Sequence, residues 1–527
     1  MIAWVEARVQ RRCCLIVRAE GTVVSSLSAG EMPPACEMTW FMNSTTMEGP
    51  AMRRVSEFRE ELQNLASGSL DVLAIEARVQ DVLNELGREL MAEVFTRADT
   101  EAPEVVIDGA VWGNRRRSRA PYMTLFGEIR VERSVYQRLG RGRLAVPMEL
   151  RLGIVEGRYT PRMSRILSHA IALMPAEDAE GFLAAVGVAK VSVSTLHRIP
   201  RNMAARYEEH RVVLEATVRQ QDRVPEGAAT AQVALDGVMV PQDGQHARSR
   251  GRKTNEPSPS RHESRYGPTR ADYPAANDNK GGRAWHEASV GTVSFWDAKG
   301  EHLRTVYIAE MPEMRKCALV TRLEKELHAA LEERPDLNVV FASDGALTHW
   351  DALHAMEKHL PATATGHRML LVDLYHLGAY LSSAANVAEG DGTPEAKMLT
   401  KFWRETLKTF DDGTRRVLKM MRYRRDKQTA QAGRDAIQGD IDFIANQAEN
   451  GRTNYAEAIA RKYPVGTGVT EAAAKTLVNV RMKRAGSRFD QHGGQTVLLF
   501  RAALLSQRFS MLSEQLELTY RARVEAA

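Results

Sequence analysis

Three acidic residues in this chain stand where phosphate chemistry could use them. Asp236 lies inside the apolar run AQVALDGVMVP, and Asp344 closes the run LNVVFASDGA. Glu471 sits in PVGTGVTEAAAKTLVNVRMKRAGSR, just past a Pro and two Gly that break the preceding structure. In-line cleavage of a phosphodiester is served by two divalent cations ~4 Å apart, one activating the attacking oxygen and one stabilising the leaving oxygen. Magnesium, or manganese in its place, prefers carboxylate oxygens and keeps several waters, so three acidic side chains from distant elements suffice to hold two such ions. Singly the signals are weak. Asp-Gly is a common turn, and Glu471 in a first helical turn is accounted for by the helix dipole and a pairing with Lys475. Their joint placement carries the weight.

The elements that must position them follow from hydrophobic period. AQVALDGVMVP, AWHEASVGTVSFW and HLRTVYIA read as three strands, the last two separated by a turn at Gly300. A helix from Arg315 to Glu332, the strand ending at Asp344-Gly345, a helix around Trp350 to His359 and the strand RMLLVDLYH ending at Asp373 and His376 complete the region. Three strands, a helix, a strand, a helix and a strand make a mixed α/β sheet, the order expected of a ribonuclease-H-like core. The Glu471 stretch reads as one helix capped by Thr470 and stopped at Gly486. On a 3.6-residue period Glu471, Lys475, Val478 and Met482 share a face, and Arg481, Lys483, Arg484 and Arg488 crowd the far end with positive charge.

DGVMV around Asp236, SDGA around Asp344, DLYH at Asp373 to His376, and above all GTGVTEAAAKTLVNVRMKRAGSRF followed by GGQTVLLFRAALLS, resemble the DDE transposases of bacterial insertion sequences of the Kra-four type, which are related to Mutator-like transposases. The resemblance covers roughly residues 120 to 510. It implies an α/β ribonuclease-H-like catalytic core interrupted by an all-helical insertion, binding to double-stranded DNA at terminal inverted repeats and in the target, and metal-dependent strand cleavage and transfer. By the same resemblance Asp236, Asp344 and Glu471 hold two Mg2+ or Mn2+ ions. Asp373 and His376, a D-x-x-H element, are accessory groups near the DNA, or Asp373 replaces Asp344 as the middle ligand. A histidine at 376 hydrogen-bonded to Asp373 is the plainer alternative for that pair. Relatives often carry Cys pairs ahead of the core; here Val111 to Arg143 has no Cys, so no structural zinc is expected.

The remaining chain divides by composition. Residues 1–51 read as a poorly ordered tail, and Met47 and Met52 leave open that translation starts later. Residues 52–100 are helical and suited to packing or dimer contact, 101–158 form a small β region with a hairpin at Gly127 behind a basic loop at Arg115 to Arg117, and 159–225 are helical. In that last region two helices and a Gly turn precede a third helix, which Pro200 cuts short. They suggest a helix-turn-helix with Ser192, Ser194, Thr195, His197 and Arg198 facing DNA. The core occupies 226–376 with a flexible basic loop at 242–282. An insertion follows at 377–463, and 464–527 holds the Glu471 helix and a C-terminal helix. Within the insertion, Arg415, Arg416, Arg422, Arg424 and Arg425 surround Tyr423 and suit backbone phosphates, or a solvated face.

With 527 residues, 43% hydrophobic and 26% charged, the chain is an ordinary globular sequence large enough for several cores. Its formal charge of +5, from 72 Lys+Arg against 67 Asp+Glu, means that DNA affinity must come from local clusters. No apolar run approaches the ~20 residues of a membrane helix, and four Cys without a CxxC pair point to a reducing cytoplasm, where a DNA-binding chain of this kind is expected to be nucleoid-associated. Joining two element ends calls for a homodimer or larger assembly. A DNA-binding relative without catalysis, or a structure-specific nuclease of the same fold, are the competing functions.

Overall fold

The computed structural model describes residues 71–138, 142–187, 191–243, 283–313, 316–484 and 487–526, with Glu57, Phe58 and Glu60. The expected N-terminal tail and nearly all of the 242–282 loop lie outside the described residues. Helix α1 (Val72–Ala98) leads into strands β1 (Glu104–Ile107), β2 (Ala110–Thr124), β3 (Gly127–Arg138) and β4 (Leu144–Ala145). Four helices follow: α2 (Pro147–Leu152), α3 (Pro161–Leu173), α4 (Ala176–Ala185) and α5 (Val193–Gln221). Then come β5 (Ala228–Asp243), β6 (Arg283–Asp297), β7 (His302–Glu310), α6 (Cys317–Glu333), β8 (Asn338–Ser343), α7 (Leu347–Lys358) and β9 (Arg368–Val372). Helices α8 (Leu374–Glu389), α9 (Pro394–Thr409), α10 (Gly413–Asp426), α11 (Gln431–Glu449) and α12 (Tyr455–Ala460) precede α13 (Gly468–Ala473), a π-helical turn (Ala474–Asn479) and α14 (Val480–Met482). The chain closes with α15 (Gln491–Leu505), α16 (Phe509–Leu518) and β10 (Val524–Ala526).

Among the described residues the result is a mixed α/β fold with two five-stranded sheets. In the first sheet, β10-β1-β2-β3-β4, every pairing is antiparallel, and the hairpin at Gly127 forms as the alternation predicts. Two details differ from the sequence reading. Arg115 to Arg117 lie within β2 beside a bulge, not in a loop, and Arg117 pairs with Asp99 and Glu101. The C-terminus does not end in a helix: Val524–Ala526 adds a strand along β1, a pairing that no local pattern announces.

The second sheet has the order β7-β6-β5-β8-β9, with β5, β6 and β7 antiparallel and β8 and β9 parallel to β5. Alternation along β5 divides two cores, because successive side chains leave opposite faces of a strand. Val233 and Leu235 bury against Leu319, Leu323 and Leu327 of α6, in a cluster that continues through Trp403, Ile437 and Tyr455 of the α8–α12 helices. Val238 and Val240 bury on the other face against Ala473, Leu477, Val478 and Met482.

Helices α3, α4 and α5 pack with α15 and α16 around Leu167, Leu196, Met203, Phe500 and Leu516. Pro200 does not end α5, which continues to Gln221. A proline inside a helix costs ~3 kcal/mol. Here Leu196, Ile199, Met203, Ala204, Tyr207, Leu214 and Val218 bury one stripe along the whole helix and outweigh that cost. The positions read as DNA-facing lie at the start of α5, outside its buried stripe. Ser192 caps α5 by accepting from the Thr195 N–H, with Ser194 and Thr195 hydroxyls around it, and Arg198 pairs with Glu156. His197 stays exposed.

Buried ion pairs tie α5 to the second sheet. Arg322 of α6 bonds Glu215 of α5 and Glu310 of β7, while Arg508, before α16, bonds Asp222 and Glu326 at 2.5 and 2.8 Å. The side chains of Arg508, Asp222 and Glu326 are only 13, 9 and 8% exposed. Removing one member of a buried set leaves the opposite charge uncompensated, at ~3–5 kcal/mol. Arg508→Met leaves Asp222 with Arg304 and Glu326 with Arg219, so it is expected to lower unfolding free energy in urea by less than that, ~1.5–3 kcal/mol for the lost charged hydrogen bonds; a loss under ~1 kcal/mol, the range of an exposed pair, would contradict the network's role.

Candidate active site

Strands β5 and β8 run parallel with Ala234 opposite Ala342. The residues two further on, Asp236 and Asp344, therefore come level on adjacent strands and share a face, since side chains repeat with period two and neighbouring strands lie ~4.8 Å apart. Gln232 shares that face; its side-chain amide donates to the Gly466 carbonyl at 2.9 Å. Thr292, opposite Ala234 on β6, meets the Thr470 hydroxyl at 2.7 Å. The segment from Gly466 to Glu471 is thus laid along the sheet face that carries Asp236.

The two aspartates feel each other. Asp236 is half-buried, and burial pushes its carboxyl up; the Gly237 N–H, donating to Oδ1 at 2.7 Å, pulls back, and the Asp344 charge adds to the rise. For Asp344 burial also pushes upward, but it is outweighed. His349, the Ala346 N–H and the Ser343 hydroxyl all address its Oδ1, at 3.3, 3.1 and 3.1 Å, and hold it well below the usual carboxylate range. The residue after Asp344 must be glycine, and the one after Asp236 stands close against a flexible side chain. At Gly345 φ is +110°, and a Cβ would stand 2.9 Å from the Phe443 ring; at Gly237 a Cβ would fall 1.6 Å from Glu287 Oε1.

Asp373 comes level with Asp344 on the next strand, its N–H donating to the Ser343 carbonyl at 2.8 Å. Its carboxylate is already engaged. Oδ1 accepts from the N–H groups of Tyr375 and His376 and caps α8; Oδ2 accepts from the Thr467 N–H and hydroxyl, both at 2.5 Å. β9 ends at Val372, so DLYH starts a helix and does not close a strand. His376 is exposed, with its ring against Tyr380 and Phe443; only its backbone N–H bonds Asp373.

Glu471 stands in α13 with its carboxylate 2.8 Å from Lys475 Nζ and both side chains about two-thirds exposed. Among the described residues no three His, Cys, Asp or Glu side chains form a group that could hold a metal ion. The structure thus brings Asp236 and Asp344 together and leaves Glu471 on the same face, paired to its neighbour one turn on. The helix differs from the sequence reading at both ends. Thr467, not Thr470, is the residue before its first turn, because Thr470 is spent on Thr292; helical structure stops at Met482, and Gly486 lies outside the described residues.

Its buried residues come in pairs four apart, Ala473/Ala474, Leu477/Val478 and Arg481/Met482. That spacing exceeds the 3.6 of an α-helix, and the π-helical turn, with more residues per turn, supplies the difference. Arg481, expected among the surface cations, is consequently interior and 3% exposed. Its guanidinium donates to the Ile171 carbonyl at 3.0 Å, while Arg501 donates to Ala172 at 2.8 Å and to Thr476 within the π turn at 2.5 Å. Two arginines so satisfy the carbonyls at the C-terminus of α3; burial, with Arg501 and Arg484 nearby, brings Arg481 down to about 10.

Most of the other cations are also engaged. Arg415 and Arg416 pair with Asp412, Arg424 with Glu389, Arg425 with Asp426 and Arg484 with Asp178. Arg422, Lys483 and Arg488 are exposed and have no side-chain partner among the described residues. Three residues near the aspartate pair escaped the sequence reading: His349, Lys316 and Glu287. SDGALTHW does carry a signal, since His349 falls in the first turn of the helix that Asp344 introduces. Lys316 and Glu287 have none, because they arrive from the start of α6 and from β6.

No protein-family model matches the chain, and no curated protein does. Among solved structures, a crystal structure of a pre-cleavage Mos1 transpososome is similar over 56% of this chain and 79% of that chain, at 13% identity and a TM-score of 0.13. A score that low lends no weight to either fold or function.

The pairing of Asp236 with Asp344 has a direct consequence in solution. Asp344→Asn removes the like charge, so the Asp236 carboxyl should titrate lower than in the wild type. Carbon-13 NMR titration of the Asp236 carboxyl checks this, and an unchanged midpoint would show that the two do not interact.

Proposed function

We propose that this chain is a DDE transposase that binds the terminal inverted repeats of an insertion sequence and carries out metal-dependent cleavage and strand transfer. The observation that carries this reading is the parallel register that sets Asp236 beside Asp344, with the Glu471 helix on the same sheet face. The strand order, three antiparallel strands continued by two parallel ones, supports a ribonuclease-H-like core. The helices from α8 to α12, inserted between β9 and the Glu471 helix, support the insertion that such transposases carry.

Asp236 and Asp344 fit a divalent cation on their own chemistry: both offer carboxylate oxygens, and each raises the cost of charging the other. Asp236, Asp344 and Glu471 would hold Mg2+ or Mn2+. When bound, two such ions would activate the attacking oxygen and stabilise the leaving one. The chain's own residues do the rest. Asp373 clamps Thr467 and so holds the loop that delivers Glu471. Arg422, Lys483 and Arg488 offer cations to DNA phosphates. Water attack at an element end frees a 3′-hydroxyl, whose attack on target DNA exchanges one phosphodiester for another. A DNA-binding relative without catalysis is favoured by one observation, the engagement of Glu471 with Lys475.

Single-turnover cleavage of labelled duplexes bearing the element's terminal repeat, with Mg2+ or Mn2+, tests the proposal. Asp236→Ala, Asp344→Ala and Glu471→Ala should abolish cleavage while leaving DNA binding intact, and Asp373→Ala should slow it. Binding with no cleavage by the wild type under either metal supports the inactive relative, and cleavage without joined product supports a nuclease. Normal cleavage by Asp344→Ala alongside loss in Asp373→Ala would make Asp373 the middle ligand.

A further inference from the structure

Behind Asp344 lies a string of polar groups drawn from three elements. Glu287 of β6 accepts from Lys316 Nζ at 2.7 Å, and Lys316 Nζ lies 2.6 Å from His349 Nε2. His349 Nδ1 lies 3.3 Å from Asp344 Oδ1 and 3.3 Å from Ser343 Oγ. The middle of the string is enclosed, the side chains of His349 and Lys316 being 3 and 12% exposed, while Glu287 and Asp344 at its ends are partly open to solvent. Lys316 reaches it from a left-handed backbone, φ +54°, a conformation that a lysine seldom adopts.

The direction of the string follows from what each group can do. An ammonium has three donors and no acceptor, so the ring nitrogen facing Lys316 must offer its lone pair. In the neutral imidazole the proton then resides on Nδ1, the atom that faces Asp344. Because the Ser343 hydroxyl donates to Asp344 Oδ1, it can meet His349 Nδ1 only as an acceptor, which again places the proton on Nδ1 and shares it between Asp344 and Ser343. Glu287, on the far side, accepts another of the ammonium's hydrogen bonds and anchors it.

We propose that Lys316 and His349 are positioning residues: Lys316, anchored by Glu287, fixes the Nδ1–H tautomer of His349, which thereby donates to Asp344 and orients its carboxylate. The consequence for metal binding rests on the reading of Asp344 as a metal ligand; the tautomer does not. Outer partners of this kind typically tune metal affinity or activity by 10- to 100-fold.

The test is nitrogen-15 NMR of the full-length chain labelled at histidine, without DNA or metal, which reads directly which ring nitrogen of His349 carries the proton. The wild type is expected to show a protonated Nδ1 and a bare Nε2, Lys316→Arg to keep that pattern, and Lys316→Met to lose it. A wild-type ring protonated on Nε2 would overturn the proposal without any variant being needed, as would a Lys316→Met chain with the wild-type pattern. Mn2+ titration is then run on the same samples. A roughly 10- to 100-fold weaker affinity in Lys316→Met but not in Lys316→Arg extends the role to the metal. If the wild type shows the Nδ1 tautomer but binds no Mn2+, the positioning string stands and the transposase reading fails.

Discussion

The parallel pairing of Ala228–Asp243 with Asn338–Ser343 is the constraint on which the rest of this structure depends. A strand's side chains alternate faces, so slipping the register by one residue would send Asp344 to the face opposite Asp236. The register is held from both sides. Val233 and Leu235 bury against α6 on one face, and Val238 and Val240 bury against the Glu471 helix on the other. Neither core tolerates the exchange of its residues for those of the other face. Two carboxylates that repel are thus kept level by hydrophobic burial on both sides of the strand that carries one of them.

The same economy governs the helix that brings Glu471. Its exposed face presents Glu471 and Lys475, and its buried face ends in an arginine. A buried guanidinium is costly unless its donors find acceptors. Here the open carbonyl end of α3 provides one for Arg481, and a π turn frees another for Arg501. The N-terminal helices and the sheet are therefore joined by polar contacts as well as by the ion pairs of Arg322 and Arg508. A change in how α3 packs would be felt by the helix of Glu471 and, through Thr470 and Thr292, by the strand beside Asp236.

Much of this was legible in the sequence, for identifiable reasons. The order of strands and helices between Ala228 and Val372 follows from period alone, and the Asp344-Gly345 pair marks the end of β8 because Gly345 takes a positive φ beside the Phe443 ring. What escaped depends on contacts distant in sequence. β10 pairs with β1 across the length of the chain, and Lys316 meets His349 only because β6 and α6 converge beside β8. Arg481 was misread by weighing its charge above its position. It lies four residues after Leu477 and three after Val478, which already places it on the apolar face. Pro200 was misread by weighing a local cost against no tertiary gain, when a buried stripe runs past it on both sides.

The central claim is that Asp236 and Asp344 together hold a divalent cation during DNA cleavage, and a metal-specificity switch tests it most directly. Asp344→Cys replaces a hard carboxylate by a soft thiolate, a poor ligand for Mg2+ and a better one for the softer Mn2+. Cleavage of terminal-repeat DNA by this variant is predicted to vanish in Mg2+ and to return in part in Mn2+, while the wild type cuts in both. Equal activity of the variant in the two metals, or none in either beside an active wild type, would contradict ligation by Asp344.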